Sequence, residues 1–230
     1  MEYFIKDGAG SSLLKVRLDK DESFFAEPGS MVFMKDLEIV SGTSNGVFGS
    51  LKRKLFGKED FFINKFESRE ESGGEVWISP RFLGAIKDIF IDKEAIFAKA
   101  GSFLGIYSEE GKFSLTGEPG NTITVFGMRD FTFLKMKGRG VLFLTGLGGI
   151  EEFNVENDVV FVDTGHLLAY TESLEVSIVP VGGVKSFVFS GEGVVCKIVG
   201  SGTVWVQTRN EFDFADSISH LISEYSNLKN

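Results

Sequence analysis

Short runs of alternating apolar and polar residues, broken by Gly, Asn and Asp, fill most of the chain. They predict strands rather than helices. The pattern repeats three times. The first copy reads Val16-Arg17-Leu18-Asp19-Lys20, then Phe25-Ala26-Glu27-Pro28-Gly29-Ser30. The second reads Ile89-Phe90-Ile91-Asp92-Lys93, then Phe97-Ala98-Lys99-Ala100-Gly101-Ser102. The third reads Phe153-Asn154-Val155-Glu156-Asn157, then Phe161-Val162-Asp163-Thr164-Gly165-His166. Gly29, Gly101 and Gly165 mark the copies at spacings of 72 and 64 residues.

Each copy continues alike. A strand follows the Gly (Met31–Met34, Phe103–Ile106, Leu167–Tyr170). A later strand carries Lys near its end, at Lys65, Lys135 and Lys197. A final strand follows a Gly-containing turn: Val76-Trp77-Ile78-Ser79, Val141-Leu142-Phe143-Leu144 and Val204-Trp205-Val206-Gln207. One copy cannot close its own apolar faces and edges, so three are expected to share edges around a pseudo-threefold axis. Asp19, Asp92 and Glu156 are expected in solvated turns rather than around a metal. The predicted class is all-β, with one globular domain over residues 1–210. Its copies span about 10–79, 80–145 and 146–210, and 211–230 forms a short C-terminal helical tail.

Two stretches depart from the repeat. Val47, Phe48, Leu51 and Leu55 share one helical face within Gly46–Gly57, a short insertion in the first copy. In the tail, Ile218, Leu221, Ile222, Tyr225 and Leu228 share one face behind a cap at Asp213 or Asp216. That helix is expected to dock on the β core through Leu221, Ile222 and Tyr225.

Three motifs carry a family resemblance. They are Gly46–Phe66 with Lys52-Arg53-Lys54 before Glu59-Asp60-Phe61-Phe62, Gly182-Gly183-Val184-Lys185-Ser186 through Gly191-Glu192-Gly193, and Gly202–Arg209. Together they resemble the microbial domain of unknown function related to the altered-inheritance-of-mitochondria proteins, over about residues 1 to 210. The resemblance implies a β-sandwich like that of the tryptophan RNA-binding attenuation protein (TRAP-like), in three tandem copies. It implies no reaction, cofactor or catalytic residue, and the RNA binding of the fold relative does not carry over.

Composition narrows the partners. The 230-residue chain has a net charge of −9 and a sequence pI near 4.9, which argues against a nonspecific nucleic-acid coat. It contains 24 Phe, two His and one Cys, the last at position 196. A lone Cys makes no intrachain disulfide and fits a reducing compartment. No basic leader and no long apolar run is visible, so a cytoplasmic location is expected.

Candidate chemistry is sparse. Two His and one Cys do not cluster in sequence, so no metal or other cofactor is expected. Cys196, among Val194, Val195 and Ile198, reads as a buried inert thiol. Gly146-Leu147-Gly148-Gly149 imitates the start of a dinucleotide fingerprint, but Glu151 stands where the last Gly belongs, and a mobile loop is expected. Ser79–Gly84 is the matching loop of the preceding copy, and the two loops are expected to line one face. Phe48, Leu51, Lys52, Arg53, Lys54, Leu55 and Phe56 form a basic amphipathic segment suited to a protein partner or an anionic membrane. The alternative is a solvated helical plug on the end of the sandwich, which three charges favour.

The functional expectation is a non-enzymatic scaffold or interaction protein that forms a homo-oligomer, with an unidentified protein partner open. The alternative is a small-ligand-binding protein, or an enzyme with an inconspicuous site, using a pocket between repeats.

Overall fold

A computed structural model describes residues 1–8, 10–43, 62–92, 94–117, 133–180 and 194–227. Among the described residues the chain is all-β with one C-terminal α-helix, as the sequence pattern predicts. The first third holds β1 (Glu2–Asp7), β2 (Ser12–Leu18), β3 (Ser23–Ala26), β4 (Met31–Lys35), β5 (Glu38–Thr43), β6 (Phe62–Glu67) and β7 (Gly74–Ile78). The middle holds β8 (Gly84–Ile91), β9 (Ile96–Lys99), a 3-10 turn (Ala100–Ser102), β10 (Phe103–Gly117) and β11 (Phe133–Leu147). The last third holds β12 (Ile150–Asp163), β13 (Leu167–Thr171), β14 (Leu174–Pro180), β15 (Val194–Gln207) and α1 (Glu211–Asn227).

Every strand pairing is antiparallel. One sheet has the order β1-β2-β7-β4. The other runs β12-β15-β13-β9-β11-β10-β3-β6-β5, with β14 on β15 and β8 on β11. Long strands pass from one layer to the next. The end of β11 pairs with β8, while its start pairs with β9. β12 bends at Asn157, where φ is 50° and Ser201 Oγ accepts the backbone N–H at 2.9 Å. The pairing register skips between Glu156 and Asp158 there, as a bulge requires.

One irregularity recurs. The register shifts between Met31 and Phe33, between Phe103 and Gly105, and between Leu167 and Ala169. Each shift falls directly after Ser30, Ser102 or His166. A hydrogen bond also recurs: Ser79 N–H donates to Ser30 O, and Gln207 N–H donates to His166 O, both at 2.9 Å.

Among the described residues the core forms three clusters. One packs Leu14, Val16, Phe24, Phe66, Val76 and Ile78 under Leu104 and Phe143. A second joins Phe97 and Phe133 to Leu167, Tyr170, Ile198 and Val204. The third draws Phe25, Ile63, Met136, Leu144, Leu168 and Trp205 from all parts of the chain. Phe24 and Phe25 are neighbours in different clusters because successive strand residues face opposite sides, and β3 is covered on both. Asp19 and Asp92 are exposed beside a turn and at a bend, as expected, whereas Glu156, also exposed, lies within the continuous strand β12 opposite Ser201 rather than in a turn.

The tail helix forms but does not dock. Ile218, Leu221, Ile222 and Tyr225 are 41, 61, 62 and 62% exposed, against the expectation that they cover the core. Its start is tied to the body by the Lys99–Glu211 pair at 2.9 Å. Neither Asp213 nor Asp216 is the cap. Asn210 is, accepting Phe212 N–H on its side chain at 2.9 Å and Phe214 N–H on its carbonyl at 3.0 Å. The insertion at 46–57 lies outside the described residues, as do the glycine-rich motif residues 182–186 and 191–193.

Candidate functional site

The loop after β7, the turn after β11 and the segment after β15 meet in one seam. Gly84 and Gly148 form a parallel bridge. Ala85 N–H donates to Gly148 O at 2.8 Å, and Gly148 N–H donates to Leu83 O at 3.2 Å. A Cβ on Gly84 would stand 1.9 Å from Gly146 O, so only glycine permits this approach. Across the seam Thr208 and Gly149 exchange bonds, with Thr208 N–H to Gly149 O at 2.9 Å and Gly149 N–H to Thr208 Oγ1 at 2.8 Å. The Gly146–Gly149 stretch is therefore a clamped turn, not the mobile loop its glycines suggest. The paired loops Ser79–Gly84 and Gly146–Gly149 do come together on one face, as their matched positions predict.

Gln207 is the buried hub of the seam. Its Oε1 accepts Leu147 N–H at 2.9 Å, and its Nε2 donates to Gly165 O at 2.7 Å. His166 Nδ1 lies 2.7 Å from Gln207 O. A carbonyl only accepts, so Nδ1 carries the proton and the ring is oriented by the backbone. Gly165 stays bare because a Cβ would meet the Asn210 side chain at 2.2 Å.

Two hollows flank the seam. A cleft of about 530 Å3 lies between Leu83, Gly148, His166, Arg209, Asn210 and Asp213. A smaller one of about 170 Å3 is lined by Glu27, Arg81, Phe82, Leu147 and Glu211, among others. Burial raises the Glu27 carboxyl above its usual range, while the Arg81 charge pulls the other way. Because the folded pKa exceeds the unfolded one, this group costs stability as pH rises from the ordinary carboxylate range through its raised value. Glu211 is tied to Lys99 at 2.9 Å.

A third hollow of about 320 Å3 has Asp88, Asp92, Glu94 and Glu152 on its walls. Three of these acids are engaged. Asp88 accepts the Tyr3 hydroxyl at 2.7 Å, a bond that pushes the phenol up to about 12 with help from burial. Glu94 accepts Ser173 N–H at 2.9 Å. Lys87 pairs with Glu152 at 3.0 Å and holds its carboxyl below the usual range, assisted by the Trp205 N–H at 2.9 Å.

His166 sits in the seam, whereas His220 faces Asp216 at 3.5 Å on the exposed helix. Among the described residues no group of three or more His, Cys, Asp or Glu is placed to hold a metal ion. Cys196 is buried, and burial pushes its thiol up to about 12 with Asp163 adding to the effect. Phe48, Leu51, Lys52, Arg53, Lys54, Leu55 and Phe56 lie outside the described residues. No helix among the described residues is long and apolar enough to cross a membrane. Sequence reading passed over Gln207, Arg81 and Asn210. Gln207 left one faint signal, a polar residue closing an apolar strand.

The family model described as "Mitochondrial biogenesis AIM24" matches residues 3–209. The uncharacterized protein M6_Spy0233 of Streptococcus pyogenes serotype M6 is 22% identical over 236 residues, covering 99% of this chain and 93% of that protein. The crystal structure of protein SPYM3_0169 from Streptococcus pyogenes superposes with a TM-score of 0.77. The identity is 21%, over 96% of this chain and 99% of that one, so the likeness is one of fold.

Proposed function

From the premise that this chain belongs to the mitochondrial biogenesis AIM24 family, whose biochemical function is unknown, we propose a non-enzymatic scaffold or interaction protein that associates with itself. Its body is three tandem copies of a TRAP-like β-sandwich unit. The recurrence of one register shift after Ser30, Ser102 and His166 supports that unit.

The observation that carries the functional reading is where large apolar residues meet water. Among the described residues they form groups on β4 (Val32, 57%), on β12 (Phe161, 61%) and along α1 (Leu221, 61%), besides the exposed Phe4, Phe82, Leu83 and Phe90. Such grouped exposure marks interaction surface rather than ordinary scatter. A net charge of −9 opposes association, but exposed charges are screened beyond about 8 Å at physiological salt. An unidentified protein partner remains compatible with the same surface, whereas the acidic balance disfavours nucleic acid. A cytoplasmic location belongs to this reading, since a single buried thiol suits a reducing compartment.

Light scattering coupled to size exclusion, at micromolar protein in about 0.15 M salt, should give a mass well above the 25.3 kDa chain. A mass of one chain that does not change on concentrating would overturn self-association. The second reading, a small-ligand-binding protein, rests on the cleft of about 530 Å3 with His166, Arg209 and Asp213 at its wall.

A further inference from the structure

Two inter-segment junctions inside the chain share one register. β3 meets β10 with Ala26 opposite Gly105, Phe25 opposite Ile106 and Phe24 opposite Tyr107. β9 meets β13 with Ala98 opposite Ala169, Phe97 opposite Tyr170 and Ile96 opposite Thr171. The repeat positions correspond one for one. They define a third junction that would place Phe33 opposite Val162, Met34 opposite Phe161 and Lys35 opposite Val160. Among the described residues that pairing is absent: β4 pairs with β7 alone and β12 with β15 alone. The two strands lie at the open ends of the separate sheets.

Burial marks both edges as unfinished. Leu104 and Leu168 are 0 and 1% exposed within the made junctions, whereas their counterpart Val32 is 57% exposed. Phe25 and Phe97 are 3 and 7% exposed, whereas their counterpart Phe161 is 61% exposed. These are core residue types standing in water on unpaired strand edges, which proteins normally pair, cover or charge.

We infer that β12 of one copy pairs with β4 of the next, so that the chain assembles head to tail through the junction it makes twice within itself. The inference rests on the self-association reading and names its surface. The occupant is a second copy because the complementary edge is present in the same chain, in matching register. One opposed pair sets the open junction apart. At the made junctions that pair is small on both sides, Ala26 with Gly105 and Ala98 with Ala169. A Cβ on Gly105 would lie 2.5 Å from the Phe24 ring and 2.9 Å from Phe25 O. The open junction has Phe33 and Val162 instead, with Phe33 turned onto Trp77 at 4.8 Å between ring centroids. Charge agrees, since the register sets Lys35 diagonal to Asp158 on the same face. A contact of this type is heterologous, so it yields a closed ring or an open filament.

The experiment uses Val32→Lys and Phe161→Lys, both at exposed positions, in the full chain. Wild type should be multimeric, and each variant alone should run as a single chain with unchanged circular dichroism. The two variants mixed should give a 1:1 dimer, because one retains an intact β12 edge and the other an intact β4 edge. Multimers that survive both substitutions would overturn this interface while leaving self-association standing. A wild type that is one chain at every concentration would overturn both. If either variant fails to fold, hydrogen exchange on wild type decides. Amides of residues 31–35 and 158–163 should gain protection as concentration rises, and equal exchange of these amides at all concentrations would overturn the pairing.

Discussion

Gln207 is 1% exposed and spends both ends of its side-chain amide on backbone groups of other segments. Truncation to alanine removes both bonds and leaves a buried N–H and a buried carbonyl without partners. Each such orphan costs about 1–3 kcal/mol, so Gln207→Ala should lower unfolding stability by about 3 kcal/mol in denaturant titration. A loss under about 1 kcal/mol would mean that water replaces the amide. Nothing in the sequence distinguishes this glutamine from an exposed strand end, because its partners are 60 and 42 residues away. Cys196 is the opposite case. Its apolar neighbours in the chain already announced a buried thiol, since a strand residue inherits its surroundings from positions two apart.

At the scale of the element, α1 separates helix formation from helix docking. The 3.6-residue period of Ile218, Leu221, Ile222 and Tyr225 was legible and correctly indicated a helix. Where that face would lie was not, since periodicity shows that an apolar face exists and not what covers it. Replacing the 61%-exposed Leu221 with Asp should therefore change stability by no more than about 0.5 kcal/mol, read as the midpoint of chemical unfolding. A loss of about 2 kcal/mol would show the helix packed in solution after all. The clamped turn at Gly146–Gly149 teaches a related lesson. Glycine-rich sequence looks mobile, yet here glycine is needed because Gly84 and the segment after β15 press against the backbone.

For the molecule as a whole, β11 and β15 are the central strands. β11 is flanked by β8, β9 and β10, and β15 by β12, β13 and β14. Their hydrogen-bonded amides should exchange only on global unfolding, whereas amides of α1 should exchange through local opening, which native-state hydrogen exchange by mass spectrometry would resolve. If β11 and β15 exchanged at markedly different free energies, the three core clusters would be separate cooperative units rather than one.

Strand content, the thrice-repeated pattern of residues, the buried thiol and the existence of the terminal helix were legible in the residues alone. All of these depend on residues close in the chain, where side-chain period and turn chemistry act directly. Which loops form the seam, that Gln207 is its hub, that the apolar face of α1 stays exposed and that β4 and β12 do not pair with each other among the described residues emerged only in the folded chain. Those outcomes depend on how closely backbones distant in sequence can approach, as Gly84 against Gly146 shows. The pattern of each strand says that it wants a neighbour, but steric fit between folded segments selects which neighbour it gets.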